Sequence, residues 1–411
     1  MRENIKYPVG DQSFESIRTD GYLYIDKTMY IEKLLNGSKY IFLSRPRRFG
    51  KSLFLSMLKC FFEGRKELFK GLYADTMQWD WATYPIFHLD LNNQKYRNDT
   101  DLEVVIEDFL INLEKKYCVT PPQTNHSVRL ANLMKAAFEA TGKKVVILVD
   151  EYDKPLVNNI HDRERFETYR DKLSALYSNF KSSADFIRLV FLTGVSRFGK
   201  LSVFSSLNNL SDISFDEAYA SICGITEQEL RAYFKPGFEA FVEKEKITSE
   251  ELFLRLKKWY DGYHFSIDCT DIYNPFSILC AFDKLRFRNY WIASGTPTLL
   301  VEQLIKTETN LEELIHTVCP QSELEGLDVD NIIPVALLYQ TGYLTIKDYD
   351  AGDDIFTLGI PNEEVKRGFF EFILPYYTNI GRKNPRILII ELRKMLEAGE
   401  VENLKNNPII S

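Results

Sequence analysis

The stretch Arg45-Pro46-Arg47-Arg48-Phe49-Gly50-Lys51-Ser52 constrains this chain more than any other. The apolar run Tyr40-Ile41-Phe42-Leu43 precedes it, and a helical-looking segment, Leu53 to Phe62, follows. A strand, then Gly-Lys-Ser, then a helix is the context a phosphate-binding loop requires. Amides at the start of such a helix point toward a bound phosphate, and the helix dipole favours its negative charge. Lys51 is then placed to reach β- and γ-phosphates as a point charge, and Ser52 to offer its hydroxyl to Mg²⁺. Arg47, Arg48, Phe49, Gly50, Lys51, Ser52 and Leu53 form the expected nucleotide-binding set. The usual motif opens with glycine, separated by four residues from the Gly-Lys pair; Arg45 stands there instead.

A second segment completes the chemistry. Val145-Val146-Ile147-Leu148-Val149-Asp150-Glu151 is a continuous apolar run ending in two carboxylates. Such a run, rich in β-branched residues, reads as a strand buried on both faces of a parallel sheet. Asp150 at its end is expected to join the Mg²⁺ shell, and Glu151 to polarise the attacking water. An ordinary buried strand with an acidic loop is the alternative for either segment alone; the two in this order argue against it.

With 411 residues the chain has room for two or three domains, at roughly 150 residues each. Hydrophobic residues make up 45%, ample for a packed core without disulfide or metal staples. Lys plus Arg number 51 against 59 Asp plus Glu, and the net charge of −8 argues against a surface that coats nucleic acid. The six cysteines form no C-x-x-C pair, so free thiols are expected. No apolar run approaches the ~20 residues of a spanning helix. The start, Met1-Arg2-Glu3-Asn4-Ile5-Lys6, lacks the apolar core of a secretory signal. The chain reads as soluble and cytoplasmic, with no membrane partner.

Alternating patterns continue to about residue 223. Strands are expected at 39–43, 85–91, 145–149 and 187–193, and helices at 29–35, 53–62, 101–117, 126–141 and 163–182. Gly21 to Thr28 has a brief strand-like alternation and could lie near the base or act as a packing arm. Strands alternating with helices imply an α/β fold of the P-loop NTPase type, with a doubly wound, mostly parallel sheet. Residues 1–223 form this domain. Residues 224–325 read as helical, opened by the capping box Thr226-Glu227-Gln228-Glu229, with helices to about 241 and around 249–260, 275–286 and 296–305. A helix near 332–339, then strands Gly342 to Ile346 and Ile355 to Leu358, suggests a winged-helix-like module over 326–378. Residues 379–411 form a basic linker and a terminal helix.

Thr193-Gly194-Val195-Ser196-Arg197 ends a core strand on the edge that faces ligands in open α/β sheets. Thr193 or Ser196 is placed to sense the γ-phosphate or to orient the water. Arg197 is a candidate catalytic arginine, within its own subunit or toward a neighbour; a loop ion pair is the alternative. Arg45, Arg47 and Arg48 either screen phosphates or contact a domain behind the loop. Asp153-Lys154-Pro155 reads as loop-shaping. His264 reads as a packed, hydrogen-bonded residue, and Asn274-Pro275 as a helix start. Arg197-Phe198-Gly199-Lys200 echoes the first loop, but Leu201 stands where the metal-binding hydroxyl belongs, so a second nucleotide site is not expected.

Taken together, Tyr24-Ile25-Asp26-Lys27-Thr28, Arg45 to Ser52, Val149 to Pro155 and Gly194 to Phe198 resemble the bacterial AAA-ATPase-like family. Trp259-Tyr260-Asp261-Gly262-Tyr263 and Tyr273-Asn274-Pro275-Phe276-Ser277 resemble its helical-region motifs. The match spans roughly 5–285, and Arg at the first loop position is usual there. The resemblance implies ATP rather than GTP, Mg²⁺, and an ATPase in which Lys51, Glu151 and Arg197 act on the nucleotide. Members commonly carry a C-terminal PD-(D/E)xK nuclease-like domain. Here only Glu391-Leu392-Arg393-Lys394 approaches that motif, in a helical segment, so nuclease activity is not carried over and that domain is expected to be missing. Two alternatives stay open: a nucleotide-switched regulatory module with little turnover, and a DNA-binding protein using the winged-helix-like hairpin with Arg382, Lys383 and Arg386. A protein partner, a nuclease module supplied by another chain, and oligomerisation also stay open.

Overall fold

A computed structural model describes residues 5–120, 125–198, 209–268, 270–294, 317–324 and 333–377, with positions 203, 204, 207, 304 and 326. The expected helix at 296–305 (Leu304 apart), the stretch 378–411 and the Gly199-Lys200 half of the echo lie outside the described residues.

The N-terminal half builds one parallel sheet. Its strands are β1 (Tyr40–Ser44), β2 (Ile86–Asp90), β3 (Val145–Asp150), β4 (Ile187–Gly194) and the short β5 (Ser211–Asp212), in the order β2-β3-β4-β1-β5. Every pairing is parallel. All residues of β1 and β3 are buried, as their unbroken apolar runs require. Helices α1 (Phe14–Thr19), α2 (Met29–Asn36), α3 (Lys51–Phe62), α4 (Asp101–Tyr117), α5 (His126–Thr141), α6 (Lys154–Val157) and α7 (Arg163–Ser182) flank the sheet. This is a doubly wound α/β domain. The chain leaves β1 toward β2 at one edge but leaves β4 toward β5 at the other. The neighbouring strands β1 and β4 therefore send their loops apart and open a crevice at their C-terminal ends.

The segment around Tyr24 is extended but forms no strand; only a single bridge joins Lys6 to Tyr22. It is a packing arm. Asp26 accepts the Tyr73 amide at 2.7 Å, Thr28 Oγ1 accepts the Ala74 amide at 2.9 Å, and Lys27 pairs with Glu229 at 2.6 Å.

Beyond residue 223, β6 (Ile225–Thr226) pairs antiparallel with β7 (Ile272–Tyr273). Around them lie α8 (Glu227–Tyr233), α9 (Lys235–Glu245), α10 (Ser249–Tyr260) and α11 (Pro275–Lys284). The Thr226–Glu229 capping box forms as expected, but the helix it opens breaks at Phe234, just before Lys235-Pro236, because Pro is accommodated in a new first turn. Phe241, Leu252, Leu256, Ile278 and Phe282 make a separate core here. Further on come α12 (Tyr290–Ala293), β8 (Thr317–Pro320), α13 (Gln321–Leu324), α14 (Pro334–Thr341), β9 (Thr345–Asp350), β10 (Ile355–Gly359) and α15 (Glu363–Tyr377). Strands β8, β10 and β9 form an antiparallel sheet in that order. Strand β8 falls inside the range read as helical, since four residues ending in Pro carry little periodic signal. Trp291, Leu337, Tyr343, Phe356 and Phe369 share the core of the α/β domain.

Candidate functional site

The crevice holds a cavity of about 480 Å³. Arg47, Arg48, Gly50, Lys51, Ser52 and Leu53 line one side, and Glu151, Asp153 and Lys154 another. Gln12, Asn92, Ser196, Leu337, Thr341 and Tyr343 also line it. Of the residues read from sequence as nucleotide-binding or catalytic, Arg47, Arg48, Gly50, Lys51, Ser52, Leu53 and Glu151 thus come together, and Phe49 does not.

Local backbone explains the loop. Gly50 is the N-cap of α3 with φ 99°, a left-handed conformation glycine adopts without a Cβ penalty, and no side chain caps the helix. The first amides of α3 are left to an outside acceptor. The Lys51 ammonium is buried and donates to the carbonyls of Arg45 (2.9 Å) and Pro46 (3.2 Å), which hold it inside the loop. Arg48 (φ 68°) and Glu151 (φ 49°) also adopt left-handed backbone, uncommon for non-glycine residues and a mark of sites where surrounding structure over-determines the chain.

Asp150 is buried at the end of β3 and is not among the residues lining the cavity. One of its oxygens accepts the Thr193 hydroxyl at 2.6 Å and the Glu151 amide at 3.1 Å. Thr193 is fully buried, is not among the residues lining the cavity, and holds Asp150 through its hydroxyl. Asp153 accepts the amides of Val195 (3.1 Å) and Ser196 (2.5 Å), lashing the loop after β4 to the loop after β3. Burial, reinforced by the Glu151 charge, pushes its pKa up to about 6 against those amides.

Arg197 is not brought to the cavity. Its guanidinium pairs with Asp212 and lies over the Phe215 ring at 4.6 Å, while its amide donates to Gln340 Oε1 at 2.8 Å. Val195 and Ser196, in the bend after β4, line the cavity, whereas Arg197 does not. Phe49 likewise points away, meeting Tyr263 and Phe265 edge-on at 4.8 and 5.3 Å. Arg45 is a brace behind the loop, donating to the carbonyls of Ser214 (2.8 Å) and Tyr219 (3.1 Å).

Aromatic residues of the helical region support this loop, Phe276 from one of the two motifs and Phe265 and Trp291 from outside them. Arg45 stacks on Phe265 (4.3 Å), Arg47 on Trp291 (5.1 Å) and Arg48 on Phe276 (5.0 Å). Trp291 Nε1 also donates to the Arg47 carbonyl at 3.0 Å. His264 is packed and hydrogen-bonded, with Nδ1 3.3 Å from Asp271. Asn92 and Lys154 escaped notice as site residues. Asn92 stands two residues beyond the β2 end, a position that could have flagged it, whereas nothing local marks Leu337, Thr341 or Tyr343.

Fold and crevice define a doubly wound α/β protein with a cation-rich, glycine-capped cleft at its topological switch point. The chain belongs to the AAA-ATPase-like family: the family described as Predicted AAA-ATPase matches residues 8–204. It is also 38% identical over 376 residues, 90% of this chain and 70% of the relative, to "Uncharacterized protein in vnfD 5'region" of Azotobacter chroococcum mcd 1. No helix among the described residues is long and apolar enough to cross a membrane.

Proposed function

We propose that the chain binds ATP in this cleft and hydrolyses it in a Mg²⁺-dependent reaction. The observation that carries the reading is the convergence of Lys51, Ser52, the uncapped start of α3 and Glu151 on one cavity. Lys51 and the α3 amides bind the β- and γ-phosphates of a P-loop. Glu151 orients the water that attacks the terminal phosphate, taking up its proton. Asp153 keeps the two flanking loops in register. The donor set suits Mg²⁺, which prefers one or two protein oxygens plus substrate phosphates to an all-protein cage; Ser52 and the Thr193-anchored Asp150 are the residues that would hold it. The ion supplies neutralisation of phosphate charge. ATP as the nucleotide rests on the family.

A second reading, a nucleotide switch with little turnover, is favoured by one observation: Leu337, Thr341 and Tyr343, from the C-terminal segment, wall the same cavity. We read β8, α13, α14, β9 and β10 as a winged-helix-like unit, on the strength of its sheet order. Its helix α14 is mostly buried against the α/β domain, which favours sensing of nucleotide over contact with DNA. The deciding test is phosphate release from ATP with and without Mg²⁺, for wild type and Glu151→Gln. Loss of a positioned general base lowers turnover by about 10²–10⁴-fold while nucleotide binding persists. Tight binding without turnover in the wild type selects the switch.

A further inference from the structure

The cleft contains a second ammonium group that the argument above leaves idle. Lys154 opens α6 and lines the cavity on the wall opposite the loop, beside Glu151. Its Nζ donates to Asn92 Oδ1 at 3.2 Å and stands 3.8 Å from Glu151 Oε2. The latter distance is an ion pair without a good hydrogen bond. The Lys154 side chain remains 36% exposed, so its long stem moves at little cost.

A triphosphate brings negative charge to a wall that already carries Glu151 and Asp153. Lys51 meets the phosphates from the loop after β1; charge beside the Glu151 carboxylate calls for a second cation next to it. Arg197 is committed to Asp212, and Arg47 and Arg48 are stacked on rings of the helical region. Among the described residues lining the cavity, Lys154 is the cation paired with Glu151.

Building on the ATP-binding reading, we propose that Lys154 contacts the terminal phosphate of a nucleoside triphosphate and, in doing so, leaves the Glu151 carboxylate it holds in the present arrangement. Asn92 keeps the ammonium aimed along the wall until the phosphate arrives. Glu151 is thereby freed for water only when a terminal phosphate is present. A diphosphate leaves the Lys154–Glu151 pair in place. Lys154 is in this account both the residue that distinguishes triphosphate from diphosphate and the one that releases the base.

The test compares full-length wild type, Lys154→Met and Lys154→Arg, titrated with Mg²⁺ plus either ADP or a non-hydrolysable ATP analogue. Lys154→Met is expected to weaken analogue binding by about 10–100-fold, the worth of one charge-assisted contact, with ADP affinity changed less than about twofold. Lys154→Arg should retain most of the preference for the analogue. Equal losses for both nucleotides, or no loss for the analogue, would overturn the proposal while leaving the ATPase reading intact. A wild type that binds neither nucleotide overturns that reading and this one with it.

Discussion

Glu364 offers a test of how the C-terminal segment is tied to the loop after β1. It lies in the first turn of α15, completely buried, where its two oxygens accept the Ser277 hydroxyl at 2.7 Å and the Trp291 amide at 2.8 Å. Trp291 in turn donates to Arg47, so the carboxyl connects α11, α12 and α15 to the loop. Burial raises its pKa from the ordinary 4.5 to about 8, outweighing the two donors. The folded value exceeds the unfolded one, so the folded state binds more protons. The resulting stability is fully present below about pH 4.5 and is lost as pH rises toward and through about 8. At about 1.4 kcal/mol per pH unit, the full shift corresponds to about 5 kcal/mol. Glu364→Gln keeps the shape and an acceptor for Trp291 but cannot ionise. Relative to wild type it should gain about 3 kcal/mol between roughly pH 5.5 and 9, measured by urea unfolding of both proteins at each pH. A difference that stays constant with pH would refute a neutral, buried Glu364.

Two further outcomes follow from the site. Thr193→Val removes the hydroxyl that orients Asp150, and the Mg²⁺ concentration needed for half-maximal phosphate release should rise by about 10–100-fold, with Thr193→Ser close to wild type. Phe49→Ala empties the slot between Tyr263 and Phe265 and should cost about 3–5 kcal/mol in denaturant unfolding; a loss below about 1 kcal/mol would mean the loop is not anchored there.

Much of the molecule could be read from sequence because the signals are local. Helices α4, α5 and α7 run over the ranges that their apolar spacing predicts, and β1 and β3 lie within a residue or so of their expected limits. Each signal is contained in a window of one helix or strand, where backbone hydrogen bonding and burial set the period. The loop Arg45 to Ser52 is local too: a strand end, a left-handed glycine and a helix start are contiguous. Side-chain direction was harder to read. Thr193 and Arg197 sit where a ligand edge was expected, yet one lies under Asp150 and the other faces Asp212, because neighbouring strands claimed them.

By itself, then, the sequence determined the strand–loop–helix around Arg45 to Ser52, the carboxylate pair ending β3 and the alternating α/β order, since each depends on residues adjacent in the chain. Tertiary structure alone decided that β4 separates β1 from β3, placing Thr193 against Asp150. It also decided that Phe265, Phe276 and Trp291 stack on the loop arginines, and that α14 walls the cleft. Those partners lie some two hundred or more residues away in the chain. What joins them is shape and charge complementarity between buried surfaces, which no local periodicity records.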